Sequence, residues 1–136
     1  IVLGNGGALS KMLLPFRSGL GGQLGSGTQW MSWIHIDDVI ELIPLAAQST
    51  QMTGPVNAVA PQPVRNSEFT KALADVLHRP AFMRVPKLAL SAMYGEMADV
   101  MLWSTRVTPE AATSAGFRFR YENVKSALAA AVTDRD

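Results

Sequence analysis

Three groups of residues in this sequence carry side chains and spacings that could do chemistry. Tyr121-Glu122-Asn123-Val124-Lys125 sets a phenol and an ammonium four positions apart. On one helical face the cation would lower the phenol pKa. The local signals argue otherwise. Asn123 is an N-cap residue, which leaves Tyr121 outside the helix as the third apolar member of the alternating strand Phe117-Arg118-Phe119-Arg120-Tyr121. The second group is His35-Ile36-Asp37-Asp38. Strand alternation puts His35 and Asp37 on one side, a pair suited to acid–base work or to a metal. The competing reading makes Asp37 or Asp38 a helix cap and His35 a hydrogen-bonded core residue. The other histidine, His78, is far off in sequence, so no metal ligand set is expected. The third group, Gln29-Trp30-Met31-Ser32-Trp33, mixes aromatic and polar groups as small-ligand pockets do. Trp30 and Trp33 point to opposite strand faces, with Trp33 expected in the core and Trp30 balanced between core and pocket.

Glycine is concentrated at one end. Eight of the eleven (Gly4, Gly6, Gly7, Gly19, Gly21, Gly22, Gly25, Gly27) precede Gln29. The spacings do not form a phosphate loop: Leu24 stands where the third glycine after Gly19-x-Gly21 is needed, and no Gly-x4-Gly-Lys-Ser/Thr occurs. Taken alone, these are turn glycines. Arg118 and Arg120 between aromatics have the look of a single-strand nucleic-acid platform, but the chain carries twelve basic against eleven acidic residues. A net charge of +1 excludes an electrostatically driven nucleic-acid or membrane-surface binder as the default reading.

The elements that must position these groups follow from periodicity. Residues 1–3 form a short apolar strand, and Gly4-Asn5-Gly6-Gly7 turns it into a helix over 8–17 with Leu9, Met12, Leu13 and Phe16 on one face. Residues 29–36 suit a mostly buried strand. A helix begins at Asp37 or Asp38 and is disturbed at Pro44. A strand over 55–59 and a helix opening at Asn66 or Ser67 complete a strand–helix alternation, which indicates an α/β layer with a parallel sheet. Beyond residue 80 the pattern turns helical: one helix from Pro86 towards Ser104, a second opened by Thr108-Pro109-Glu110 and closed by Gly116, and a last one after Asn123.

At 136 residues, 48% hydrophobic and 17% charged, the chain can build one real core. It has no cysteine, so disulfides, thiolate metal sites and a cysteine nucleophile are excluded. The uncharged stretch over 18–36 is too rich in Gly, Ser, Gln and Thr to span a membrane. Ile1-Val2-Leu3 reads as the middle of a strand, hence as a piece of a longer protein, without a signal-peptide n-region.

Several linked stretches together resemble a known family. They are residues 1–9, 19–27, Gln29-Trp30, Ser32-Trp33-Ile34-His35-Ile36-Asp37-Asp38, Gly54-Pro55-Val56-Asn57, Ala60-Pro61, Asn66-Ser67-Glu68-Phe69-Thr70, Gly95-Glu96-Met97-Ala98, Ser104-Thr105-Arg106-Val107-Thr108-Pro109 and Ala115-Gly116-Phe117. They are similar to the epimerase family proteins, an NAD-dependent epimerase/dehydratase subgroup of the extended or atypical short-chain dehydrogenases/reductases. The resemblance implies the C-terminal part of such a protein: last Rossmann-like α/β elements with cleft loops over 1–79, and a helical substrate-binding extension over 80–136. The family's glycine fingerprint and Tyr-x-x-x-Lys pair belong to the N-terminal half, so no catalytic residue is expected here and Tyr121 and Lys125 are not that pair. By resemblance Gly4, Asn5, Gly6 and Gly7 lie near the nicotinamide, with Asn5 where many extended relatives have proline. Leu20, Gly22, Gln29, Trp30 and His35 are the expected substrate-cleft residues. NAD(P) is expected in the full-length parent and not on this chain alone. Expected partners are the missing N-terminal Rossmann half, a small-molecule, nucleotide-sugar-like substrate and a second copy. The implied location is cytoplasmic. The alternative is a non-catalytic interaction module, since some members of the subgroup carry a cell-division-inhibitor label.

Overall fold

The first apolar run becomes β1 (Val2–Leu3), and the glycine turn after it feeds α1 (Gly7–Arg17). A computed structural model describes residues 1–133, with the backbone alone at positions 93, 94, 97, 100 and 101. The α1 stripe buries Leu9, Leu13 and Phe16. Pro15 falls in the last turn, where the helix is about to end.

The strand expected over 29–36 is two strands. β2 (Gly22–Leu24) is followed by β3 (Trp30–Met31) and β4 (Ile34–His35), and these last two belong to different sheets. The interruption is at Ser32-Trp33. The Ser32 hydroxyl donates to the Thr105 carbonyl at 2.9 Å and accepts from the Val107 N–H at 3.0 Å. Trp33 drops into the core and donates from Nε1 to the Gln62 carbonyl at 2.9 Å. β4 then pairs in parallel with β1, giving α2 (Ile36–Gln48) its start. Pro44 does not interrupt α2.

No strand forms over 55–59. That run is followed by one ladder-like bond, Ala60 N–H to the Trp33 carbonyl at 2.6 Å, and Pro61 and Pro63 nearby have no N–H to extend a ladder. The strand is β5 (Val64–Arg65), antiparallel to β3, and it runs into α3 (Asn66–Leu77). His78 ends α3 in the left-handed region at φ 52°. β6 (Met83–Val85) pairs in parallel with β2.

The long helix expected from Pro86 is two helices, α4 (Lys87–Tyr94) and α5 (Met97–Leu102), with Gly95 at φ +59° between them. α6 (Glu110–Ser114) is short, and the Thr108 hydroxyl bonds Glu110 Oε1 at 3.2 Å instead of capping it. Gly116, at φ +81°, closes α6 as expected. Phe117 to Tyr121 forms no strand, and the backbone bends at Arg120. Asn123 caps α7 (Val124–Thr133) through Oδ1, which accepts from the Lys125 N–H at 2.9 Å.

The fold is thus α/β with parallel pairings, as the alternation implied, plus one antiparallel pair. One core joins the two ends of the chain. Leu3, Leu9, Leu13, Trp33, Phe69 and Leu73 pack with Ala127, Leu128 and Ala131 of α7. A smaller cluster of Leu42, Met52 and Ala112 lies under α2. The opposite face of α2 is bare: Ile36, Ile40 and Ile43 are exposed, next to the open edge of β1 where Val2 is also exposed. Among the described residues no helix is long and apolar enough to cross a membrane.

Candidate functional site

α1, β3 and the segment after α5 enclose a cavity of about 650 Å³. Its lining includes Gly7, Ala8, Lys11 and Met12 from α1, Trp30 and Met31 from β3, and Trp103, Thr105 and Val107 from the later segment. The chain is held in this arrangement by a lacing of short bonds. The Trp30 N–H donates to Ser104 Oγ at 3.0 Å, and the Thr105 N–H donates to the Trp30 carbonyl at 3.1 Å. With the two Ser32 bonds, these tie residues 104–107 along β3. Arg65 and Arg106 stack on the Trp30 ring at 4.0 and 4.6 Å, which fixes the indole at the cavity wall.

The expected site residues fall into two sets. Gly7 and Trp30 line the cavity. Gly4 is buried against Ile36, where a Cβ would come within 3.0 Å of Ile36 Cγ2. Asn5 and Gly6 lie exposed on the loop between β1 and α1. Gly6 and Gly7 have open space where a side chain would be, and α1 has no side-chain cap at Gly6. The loop therefore offers backbone rather than side chain at these two positions.

Leu20, Gly22, Gln29 and His35 do not line this cavity. Leu20 is exposed away from the lining. A Cβ at Gly22 would stand 2.1 Å from the Met83 carbonyl oxygen, so its bareness serves the β2–β6 pairing. Gln29 is buried, with Nε2 donating to the Leu24 carbonyl at 3.1 Å. His35 is fully buried and is the N-cap of α2: Nδ1 accepts from the Asp37 N–H at 3.2 Å. The cap expected of Asp37 or Asp38 is therefore made by the imidazole.

Asp38, fully buried, does something else. Its two oxygens accept from the Arg120 N–H at 2.7 Å and the Tyr121 N–H at 3.2 Å. This clamp pins the bend at Arg120, since one carboxylate supplies acceptors to two successive backbone N–H groups. Arg120 also reaches Asp37 at 3.4 Å and Glu41 at 3.1 Å. His35 and Asp37 do meet, Nδ1 to Oδ2 at 3.5 Å, with the Tyr121 ring 4.1 Å from the imidazole. The trio is a structural joint away from the cavity. Tyr121 lies outside α7 and Lys125 pairs with Asp75 at 3.0 Å, so the two do not act together. Among the described residues, no three His, Asp or Glu side chains gather as a metal site would need.

Sequence reasoning missed Lys11, Met12, Trp103, Thr105 and Val107. A signal existed for part of them: Ala8, Lys11 and Met12 share one helical face beginning at the glycine turn. Trp103 and Val107 had none, because their place depends on the Ser32 and Ser104 bonds. A second hollow of about 750 Å³ lies between α3 and α7. Its lining charges, Asp75 and Lys125, already neutralise each other.

Residues 85–131 match the family described as a domain of unknown function (DUF1731). The chain is 40% identical over 135 residues to epimerase family protein YfhF of Bacillus subtilis, covering 99% of this chain and 45% of that protein. It is 47% identical over 131 residues to the chloroplastic epimerase family protein SDR39U1 homolog of Arabidopsis thaliana, covering 96% and 38% respectively. The crystal structure of human epimerase family protein SDR39U1 with NADPH superimposes with a TM-score of 0.91 at 35% identity, over 98% of this chain and 46% of that one. The chain thus spans less than half the length of these relatives. By sequence and by fold the chain is similar to the C-terminal part of the epimerase family proteins.

Proposed function

We propose that this chain is the substrate-side wall of an NAD(P)-dependent oxidoreductase or epimerase-like enzyme. The observation that carries the reading is the cavity itself, bounded on one side by the bare glycine start of α1 and on the other by Trp30. NAD(P), held in the longer protein, would supply hydride chemistry at a substrate carbon. Gly4, Asn5, Gly6 and Gly7 would border it, the last two offering backbone and no side chain. Trp30, Met12 and Thr105 would orient the substrate and exclude water. The residues that move the proton would come from the N-terminal half, which this reading seats on the bare face of α2 (Ile36, Ile40, Ile43) and the open edge of β1. The division at residues 79 and 80 is then one of role, since both parts share a core. NADPH in the human relative's crystal structure and the printed name of a Corynebacterium glutamicum relative, nucleoside-diphosphate sugar epimerase, support the cofactor and suggest a substrate class.

The reading is tested by titrating NADPH fluorescence with the full-length protein and with this chain alone. Binding by the first and none by the second is the expected result. Micromolar binding by the isolated chain would overturn the division of labour. A non-catalytic interaction module is the competing reading, and an upstream sequence lacking both the glycine fingerprint and Tyr-x-x-x-Lys would favour it. In the isolated chain, a second copy seated on the α2 face in place of the N-terminal half would appear in light scattering as a dimer that Ile40→Lys dissolves.

A further inference from the structure

We infer that residues 85–131, the segment matched by the domain of unknown function, brace the glycine turn at the head of α1. The inference rests on the cavity reading above, since that turn supplies the Gly7 and Ala8 side of the wall. Its grounds are buried contacts that the chain makes within itself. Two residues flank the turn. Leu3, fully buried, precedes Gly4 on β1, and Ile36 stands against Gly4 at the start of α2. A Cβ at Gly4 would meet Ile36 Cγ2 at 3.0 Å and Ile36 Cβ at 3.1 Å, so the turn and the helix start cannot shift independently.

The segment holds both residues. On the β1 side, Ala127, Leu128 and Ala131 of α7 pack in one core with Leu3. On the α2 side, its contacts fall within two residues of Ile36. Asp38 accepts the Arg120 and Tyr121 N–H groups, and the Tyr121 ring lies 4.1 Å from His35. His35 in turn caps α2 through the Asp37 N–H and stands in register with Leu3 on the paired strand. Leu3, His35 and Asp38 have no exposed surface, so they keep these partners whatever packs around them. Packing at interior density transmits a shift instead of absorbing it. Loosening residues 120 and 121 should therefore displace Ile36, and through it Gly4 and the first turn of α1. The same segment lines the cavity directly with Trp103, Thr105 and Val107, so it sets both sides of the wall.

The experiment uses the isotope-labelled full-length protein. Without any ligand, Asp38→Asn and Tyr121→Leu should each move the amide resonances of Gly4, Gly6 and Gly7 and leave those of Gly25 and Gly27 in place. Should Asp38→Asn fail to fold, Tyr121→Leu carries the same test. NADPH fluorescence titration gives the second reading. Gly4→Ala should weaken NADPH about tenfold, and Ile36→Ala added to it, making room for the new methyl, should recover most of that loss. Asp38→Asn should weaken NADPH about threefold alone and clearly less beside Gly4→Ala, because both act on one turn. Unmoved glycine resonances, or losses from Gly4→Ala and Asp38→Asn that multiply as independent changes do, overturn the inference. If the wild-type protein binds no NADPH while the glycine resonances respond, the brace stands and the oxidoreductase reading falls. NADPH binding with unmoved resonances does the reverse.

Discussion

Trp33 and Trp103 mark two regions built on opposite terms. Around Trp33, side chains from β1, α1, α3 and α7 close on one another, and its indole N–H is answered by a backbone carbonyl. Around Trp103 an exposed indole lines the cavity, and the wall is held by hydrogen bonds to backbone and serine rather than by packing. Trp30 lies between these extremes, half-buried and gripped by two arginines. The core region uses its apolar surface to fold. The cavity region leaves such surface open, as a binding wall must, and is kept in shape by polar lacing instead.

Breaking the first region should cost stability and breaking the second should cost binding. The largest effect is expected of Trp33→Ala, about 3–5 kcal/mol in urea denaturation, because a fully buried indole leaves a void and an unanswered carbonyl. Trp103→Ala in the same assay should stay within about 0.5 kcal/mol. Equal losses at the two positions would erase the distinction between the regions.

Asp38→Ala comes next, at about 2–4 kcal/mol, since two backbone N–H groups lose their acceptors. Asp38→Asn keeps one good acceptor and should lose less. Hydrogen exchange at Arg120 and Tyr121 would report the released segment directly. Gly22→Ala should cost about 1–3 kcal/mol through the clash with Met83. Smallest is Arg106→Ala, about 0.5–1 kcal/mol or less for an exposed cation–π contact. Its expected trace is a shift in tryptophan emission as Trp30 loosens, with the urea midpoint barely moved.

Much of the scaffold was legible from short-range rules. The stripes of α1 and α3, the Asn123 cap and the Gly116 terminus depend on spacings of three or four residues, and they stand where periodicity put them. Trp33 in the core was legible too. The failures share a cause. Residues 29–36 read as one strand because alternation says nothing of a serine that abandons the sheet to bond residues 105 and 107, more than seventy positions on. Residues 117–121 read as a strand because the alternation of apolar and basic residues does not tell whether a neighbouring strand or the Asp38 carboxylate answers the N–H groups. His35 was weighed as a core or acid–base residue, and nothing local marks an imidazole as the cap of its own helix.

What the amino-acid order determined alone is the set of elements, their apolar faces and the family to which linked motifs point, for these follow from backbone preferences and patterns repeated within a few residues. What only the tertiary structure decided is which of those faces meet. The cavity is the result of that meeting: Lys11, Trp30 and Trp103 are scattered over ninety-three positions of chain, and long-range hydrogen bonds between β3 and the segment after α5 bring them to one wall. Local propensity has no knowledge of contacts at that separation, so a binding wall assembled from them becomes visible when the chain is folded.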